Sequence, residues 1–258
     1  MLIDAAVLAL GACLGSFLNV VIFRLPREES IAWPGSHCPR CGAAIAFYDN
    51  IPIFSWILLL GRCRACRGKI SVRYPAVELL TALACLSLWL RWRNPAWVFA
   101  ASLATAGLTA VAFIDWDTFL IPDELSLGLC ALGVLASCVN PLLGSAALCG
   151  RAAASLGGAA FGFALCWAIA VLGERLFKKE AMGGGDIKLL AAIGAWSGVL
   201  GVFDCVLIAS LAGVLYGAAL MAQKKLKRDE PIPFGPFLAL GAIVNFFYLL
   251  PWGFPFLR

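Results

Sequence analysis

The sequence consists mainly of apolar runs that are long enough to cross a lipid bilayer as helices. A crossing helix needs about 20 predominantly apolar residues, because the hydrocarbon core is about 30 Å thick. Of the 258 residues, 62% are hydrophobic and 14% are charged, whereas a soluble globular chain carries about 25% charged residues. An all-α polytopic membrane protein is therefore predicted. About eight transmembrane helices are expected, over residues 3–23, 75–90, 96–114, 121–139, 152–173, 187–201, 204–222 and 234–250.

The basic residues give these spans an orientation. Most Lys and Arg residues lie in segments 24–74, 174–188 and 223–233, which an even number of spans places on one side with both termini. Cytoplasmic loops carry the excess of Lys and Arg, so this side is expected to be cytoplasmic. The first run is followed by basic residues rather than preceded by them, so it is expected to be a retained span. The net charge of +5 follows this topology, and no nucleic-acid partner is expected.

A small polar insert between the first two spans carries two Cys-x-x-Cys pairs, Cys38/Cys41 and Cys63/Cys66. This spacing is typical of a zinc ribbon, and four thiolates complete a tetrahedral shell, so a structural zinc is expected. A reducing cytoplasm disfavours disulfides, and a redox or vestigial cysteine set is the alternative. The single histidine, His37, is not needed as a ligand.

Two acids at span ends are the candidate catalytic groups. Gly183, Gly184 and Gly185 lead directly into Asp186, and Asp115 ends the span 96–114. Acids at a bilayer edge are costly and indicate function. One ionised aspartate can take a proton from water while a protonated partner donates to the scissile carbonyl, because like charges held together share a proton. The alternative is a flexible glycine turn in which Asp186 caps the next helix.

The order and spacing of these motifs resemble those of the prepilin peptidases, the bacterial members of the GxGD membrane aspartic proteases. The matching signatures are Gly15 to Pro26, the two cysteine pairs, Tyr48 to Pro52, Gly61 to Arg64, Ile70 to Glu78, Asp115 with Ile121-Pro122-Asp123, Gly183 to Asp186, and Pro233 to Phe237. The resemblance implies that Asp115 and Asp186 are catalytic. It also implies a bacterial inner-membrane enzyme with its active site at the cytoplasmic face.

The resemblance further implies two reactions. The enzyme cleaves a basic leader after a glycine in type IV prepilins or type II secretion pseudopilins, and then methylates the new amino terminus with S-adenosylmethionine. The domains implied are residues 1–94, associated with methyl transfer, and residues 95–258, the peptidase. The supporting peptidase residues are expected to be Asp117, Asp123, Gly183, Gly184, Gly185, Lys188, Pro233, Phe234 and Gly235. The expected S-adenosylmethionine site comprises Asn19, Arg24, Asp49, Gly61, Arg62 and Glu78, with Asp49 replacing a glutamate that is common in this motif.

Several alternatives stay open at this point. Arg24 and Arg62 can be plain orientation charges, and Glu78 can serve helix-end electrostatics. The segment from Pro233 to Phe237 can be a rigid helix start or the lining of a substrate groove. The chain can be a peptidase without methyl transfer, or a non-catalytic zinc-ribbon scaffold of a pilus or secretion assembly. A transporter would hold its acids nearer the bilayer midplane.

Overall fold

The computed structural model describes residues 1–144, 147–178, 182–225, 227 and 230–248, and all the regular elements of this part of the chain are helices. The α-helices are α1 (Leu2–Arg24), α2 (Phe54–Leu58), α3 (Arg73–Trp92), α4 (Pro95–Thr118), α5 (Asp123–Ala136), α6 (Leu148–Phe177), α7 (Gly184–Ala222) and α8 (Gly235–Asn245). Within these described residues, five helices are long and apolar enough to cross a membrane, namely α1, α3, α4, α6 and α7. The predicted all-α polytopic membrane protein is confirmed.

Two predicted spans are longer than the helices that the structure describes. The span predicted over 121–139 is the 14-residue helix α5, because the chain enters it through Pro122 and leaves it in turns after Ala136. The span predicted over 234–250 begins at the expected place, but the described helix α8 has 11 residues. Residues 249–250 of that predicted span lie outside the described residues.

The 39-residue helix α7 is two helices joined at Gly198, whose φ of 67° and ψ of −173° leave the helical region. In a continuous helix, Tyr216 would lie about 45 Å from Asp186. Instead, the ring centroid of Tyr216 lies 5.3 Å from that of Trp116, next to Asp115, whose charge acts on Asp186. The chain therefore reverses direction at Gly198, and the predicted division into two spans is right in kind, with its boundary a few residues earlier than expected.

Side chains from neighbouring elements donate hydrogen bonds to carbonyl groups that this break leaves without a helical partner. Carbonyls that lose their helical partner inside a membrane protein must find another donor. Ser155 Oγ donates to the carbonyl of Ala195 at 2.8 Å, and Asn140 Nδ2 donates to the carbonyl of Trp196 at 2.7 Å. Only glycine adopts the backbone angles of Gly198 without strain. The break is thus a built feature that returns the chain towards the end of α7 that carries Asp186.

By their internal contacts the residues form two compact units, Met1–Val98 and Phe99–Arg258. In the first unit, α1 and α3 approach closely through glycine: a Cβ on Gly15 would lie 2.6 Å from Cα of Glu78. In the second unit, α6 and α7 do the same, since a Cβ on Gly158 would lie 2.2 Å from the carbonyl oxygen of Gly194. Small residues that let backbones approach are typical of helix packing in membranes.

Candidate active site and metal centre

Asp115 is buried in the last turn of α4, with 5% of its surface exposed. This is an unfavourable place for a carboxylate, because the carboxyl end of a helix carries partial negative charge. The amino terminus of α8 compensates, since the backbone N–H of Gly235 donates to Asp115 Oδ2 at 2.8 Å. A Cβ at position 235 would lie 2.7 Å from that oxygen. Only glycine therefore lets the helix start reach the acid so closely.

Asp186 lies in the first turn of α7, where the partial positive charge of a helix amino terminus favours an acid. Its carboxylate also interacts with the backbone of Gly183, the residue that precedes the helix. Asp186 is not itself the N-cap considered for it: Gly183 holds that position, and Asp186 lies within the first turn of the helix. Its Oδ1 atom is nevertheless buried and has no hydrogen-bond partner among the described residues. The interaction with Gly183 uses only part of the carboxylate, and a buried acceptor oxygen is left over.

The structure brings Asp115 and Asp186 together. The charge of Asp115 acts on Asp186, and one side chain, Ile121, links the backbones beside the two acids. Ile121 Cβ lies 2.8 Å from the Cβ position of Gly185, and its Cδ1 lies 3.2 Å from that of Gly235. Two helix amino termini, those of α7 and α8, therefore converge on a pair of acids, with Ile121 setting the spacing of the backbone around them.

The segment from Pro233 to Phe237 is the helix start considered for it, and it also contacts Asp115. It begins α8, with Pro236 in the first turn, where the missing N–H of proline costs nothing. It also supplies the donor to Asp115. Phe237 then packs against Tyr216, with ring centroids 5.7 Å apart. Because Tyr216 also contacts Trp116, aromatic rings fix the ends of α4, α7 and α8 relative to one another.

The other predicted peptidase residues lie around this pair rather than between its members. Lys188 Nζ contacts both oxygens of Asp123 at 2.7 Å, which ties the start of α5 to the start of α7. Asp117 is exposed one turn or less from Asp115. Gly183 and Gly184 are also exposed. Pro233 and Phe234 are half-buried residues that lead into α8.

The four predicted cysteines meet in one cluster. Each Sγ of Cys38, Cys41, Cys63 and Cys66 lies within 4.8 Å of the others, and Cys38 Sγ is 3.9 Å from Cys66 Sγ. Tetrahedral thiolate ligands with metal–sulfur bonds of about 2.3 Å lie about 3.8 Å apart. The donor set therefore fits a zinc ion. His37 is exposed, and its ring nitrogen contacts the carbonyl of Gly35, so it stands outside the cluster as expected.

The two knuckles share one backbone pattern. Cys38 and Cys63 each receive a hydrogen bond from a backbone N–H four residues later, at 2.9 Å, and each donates its own N–H to the carbonyl five residues later, also at 2.9 Å. In the first knuckle, hydrogen bonds from the backbone of Arg40 and Cys41 lower the pKa of the Cys38 thiol to about 6. The thiolate is the form that binds metal, so the loop is built to hold a ligand.

A cavity of about 760 Å³ lies within the first unit, inside the range of about 300–1,000 Å³ of small-molecule sites. Four of the six residues predicted for the S-adenosylmethionine site line it: Asn19, Arg24, Asp49 and Glu78. Gly61 and Arg62 are not among its lining residues. Gly61 instead lies against Trp56, whose ring would be 2.8 Å from a Cβ at position 61, and Trp56 lines the cavity. Arg62 forms a backbone bridge with Lys69 in the second knuckle.

Each of the four lining residues also has a structural contact. Asn19 Nδ2 donates to the carbonyl of Tyr74 at 3.1 Å, and Arg24, although buried, donates to backbone carbonyls of the polar insert. Arg64 binds both oxygens of Asp49 at 2.6 Å, which holds the pKa of the Asp49 carboxyl below its usual range. Glu78 accepts from a backbone N–H in the cavity wall. Arg24 is therefore more than a charge that sets the membrane orientation, because its side chain is buried and hydrogen-bonded.

Some residues beside the acid pair and in the cavity wall belong to no sequence pattern that predicts their position there. Ile121 was noted only as part of a spacing motif, and nothing in an apolar residue announces that it separates two glycine backbones. Trp56 and Ser55 lie in a short apolar run that is too short to cross a bilayer. Their presence in the cavity wall depends on how the insert folds back on α3, which the spacing of single residues does not reveal.

Two family models match separate segments of this chain. The description "Bacterial Peptidase A24 N-terminal domain" matches residues 9–92, and "Type IV leader peptidase family" matches residues 102–218. A prepilin leader peptidase/N-methyltransferase from Xanthomonas campestris pv. campestris is 38% identical over 270 residues, covering 94% of this chain and 90% of the relative. One from Aeromonas salmonicida is 39% identical, covering 93% and 87%.

A third relative, from Escherichia coli O78:H11, is called a type 4 prepilin-like proteins leader peptide-processing enzyme. It is 39% identical over 257 residues, covering 92% of this chain and 91% of the relative. No solved structure matches the chain significantly. Relatives of this identity, matched over almost their whole length, show the family. The chain belongs to the prepilin leader peptidase/N-methyltransferase family.

Proposed function

We propose that this protein cleaves the leader from type IV prepilins or pseudopilins with Asp115 and Asp186, and then methylates the new amino terminus. The observation that carries the proposal is the pair of acids on which the amino termini of two helices converge. One carboxylate is held by the backbone N–H of Gly235, while the other keeps a buried oxygen without a partner in the described residues. A structural pair would be expected to satisfy all of its buried oxygens.

The chemistry follows from the difference between the two carboxylates. Asp115 accepts the N–H of Gly235, which favours its ionised form, so Asp115 takes a proton from the attacking water. Asp186, beside the charge of Asp115, is the protonated member and donates to the carbonyl oxygen of the scissile bond. The water oxygen bonds to the carbonyl carbon to give a tetrahedral intermediate with two hydroxyl groups. As the carbon–nitrogen bond breaks, one hydroxyl group returns its proton to Asp186, and the proton held by Asp115 passes to the leaving amine. Two acids that share one proton suit both steps.

The expected membrane side of the acid pair and the exposed acids near it match a leader that is basic. Most Lys and Arg residues lie in segments that are expected to share one side of the membrane with Asp115 and Asp186, and the usual bias makes that side cytoplasmic. The exposed acids Asp117 and Glu124 flank the site and would attract a positively charged leader. The substrate would keep its own apolar helix in the inner membrane while its leader reaches the acids.

Methyl transfer is assigned to the cavity in the first unit, where the lining residues fit S-adenosylmethionine. The cavity combines carboxylates, amides and hydroxyl groups with apolar walls, and such a mixture suits a ligand with an amino acid part and a purine. Asn19, Arg24, Asp49 and Glu78 would surround it, and the bound cofactor would supply the methyl group. Within this proposal, residues 1–94 carry methyl transfer and residues 95–258 carry cleavage.

Incubating the purified protein in lipid nanodiscs with a prepilin and S-adenosylmethionine tests both activities. We expect mass spectrometry to find the pilin without its leader and with one added methyl group at its amino terminus. Cleavage without the added methyl group would identify a peptidase that lacks methyl transfer. An unchanged prepilin would leave the non-catalytic scaffold as the better reading.

The four cysteines are proposed to hold one structural zinc ion. We expect the purified protein to contain about one zinc per chain, since four thiolates complete the shell, and Cys38→Ser and Cys63→Ser each to remove most of it. The measurement is metal analysis by mass spectrometry. Cys138→Ser, which changes an exposed cysteine outside the cluster, is the matched control. Unchanged zinc content in the two cluster variants would refute the metal site.

A further inference from the structure

A strained turn forms part of the wall of the cavity in the first unit. Ile53 has φ 64° and ψ −53°, and the N–H of Phe54 donates to the carbonyl of Pro52 at 2.6 Å. This is a γ-turn of the strained kind, whose central residue has a positive φ. A β-branched residue in such a conformation is a genuine outlier. Outliers of this kind persist only where the surroundings hold them, and they concentrate at functional sites.

A carboxylate from a membrane helix holds this turn. The N–H of Ile53 donates to Glu78 Oε2 at 2.7 Å, and Glu78 is buried in α3, with 8% of its surface exposed. The side chain of Ser16 also hydrogen-bonds Glu78, and the close approach of Gly15 to Glu78 Cα fixes α1 against this turn of α3. Glu78 is therefore a rigidly placed acceptor rather than a free side chain at the end of a helix.

The turn controls which groups face the cavity. Ile51, Ile53, Ser55 and Trp56 all line it, and so does Glu78. Ser55 Oγ accepts from the N–H of Ile51 and donates to the carbonyl of Tyr48, both at 3.1 Å. The wall on the two sides of Ile53 is thus rigid. If the strained residue relaxed, this apolar wall would change shape as a whole.

We propose that Glu78 is a positioning residue for methyl transfer, which holds the strained turn at Ile53 in place and thereby gives the S-adenosylmethionine cavity its shape. The inference rests on the proposed function of this cavity and replaces direct contact with the cofactor as the main role of Glu78. If Glu78 acts in this way, replacing Glu78 should have little effect on methyl transfer when residue 53 can adopt its backbone angles without strain. Glycine can do so.

The test is a double-mutant comparison on the full-length protein in nanodiscs, with a pilin that already lacks its leader as methyl acceptor. Glu78→Ala is expected to raise KM for S-adenosylmethionine about tenfold, with a smaller change in kcat, since strain of this kind is large enough to redistribute the turn. Glu78→Gln keeps an acceptor oxygen and is expected to stay within about threefold of the parent.

The decisive comparison repeats Glu78→Ala in two glycine backgrounds. In Ile53→Gly, the effect of Glu78→Ala on KM is expected to shrink to about threefold or less, because glycine adopts these backbone angles without the hydrogen bond to Glu78. In Ile51→Gly, the same change of side chain two residues away, the full effect should remain, because Ile51 has ordinary angles of φ −72° and ψ 118°. An equal loss in all three backgrounds, or a loss in Glu78→Gln as large as in Glu78→Ala, overturns the proposal in favour of direct contact with the cofactor.

Hydrogen exchange separates this inference from the proposed function. If the parent protein transfers no methyl group, the assignment of the cavity fails. The stabilisation of the turn by Glu78 can still be measured from the rate of amide hydrogen exchange over residues 51–59. Exchange there is expected to accelerate in Glu78→Ala and to return towards the Ile53→Gly level in the double variant. Leader cleavage by each variant shows that the membrane domain is folded. Unchanged exchange in Glu78→Ala refutes the claim that Glu78 holds the turn at Ile53.

Discussion

Replacing either Asp115 or Asp186 by Asn is expected to lower the rate of leader cleavage about 1,000-fold, within the range for loss of a positioned acid or base. Asn keeps the size of the side chain and an acceptor oxygen, so the N–H of Gly235 can still bond at position 115. What is lost is the ability to carry a proton. The measurement is kcat/KM for a prepilin, followed by gel or mass spectrometry, with each variant in nanodiscs.

Two controls make this result specific. Glu29→Gln removes an exposed acid of the first unit and should leave kcat/KM at the parent value. Methyl transfer to a pilin that already lacks its leader should survive in both Asn variants, because that reaction is proposed for the other unit. The double variant should be no slower than the single ones, since groups that act as a unit are not additive. Cleavage within about tenfold of the parent in either single variant would exclude the dyad mechanism.

The catalytic and metal-binding candidates could be proposed from the sequence because their chemistry restricts residue type. Few roles suit an acid at the edge of a bilayer, and two Cys-x-x-Cys pairs at ribbon spacing suit a metal better than anything else. That the cysteines cluster could be expected from their spacing. The sequence predicted Asp115 and Asp186 only at the same membrane face, and the effect of one on the other required the fold. The reversal at Gly198 could also be expected, because a single apolar run of that length does not fit one crossing.

The remaining features depend on tertiary contacts that no local pattern encodes. The positive φ of Ile53 contradicts the preference of a β-branched residue, and the N–H of Ile53 donates to Glu78, which lies 25 residues later in a separate helix. The role of Gly61 was expected at the cofactor, but the space it leaves is filled by Trp56. The helix starts around the acid pair were visible as motifs, whereas the contact of one of them with Asp115 required the fold.

The glycine run before Asp186 illustrates how the structure changes the reason for expecting glycine at this place. Glycine runs suggest backbone freedom, and a flexible turn was the competing interpretation. Yet none of Gly183, Gly184 and Gly185 has a positive φ, and two of them already lie in α7. What the site needs is space: a Cβ at position 185 would lie 2.8 Å from Ile121 Cβ, whereas a Cβ at position 184 would meet nothing within 4 Å.

Gly185→Ala is therefore expected to lower kcat/KM for leader cleavage about 100-fold, because an added Cβ would push α7 away from Ile121 and displacements of about 1 Å can cost this much. Gly184→Ala should cleave at close to the parent rate and raise the thermal midpoint, since Ala stabilises a helical position by roughly 0.5–1 kcal/mol over Gly. The two variants differ by one residue in position and by nothing in chemistry. Kinetics with a prepilin and thermal unfolding in nanodiscs measure both effects. If Gly184→Ala proved as damaging as Gly185→Ala, backbone freedom rather than space would be what the run supplies, and the spacing set by Ile121 would not govern how the two acids meet.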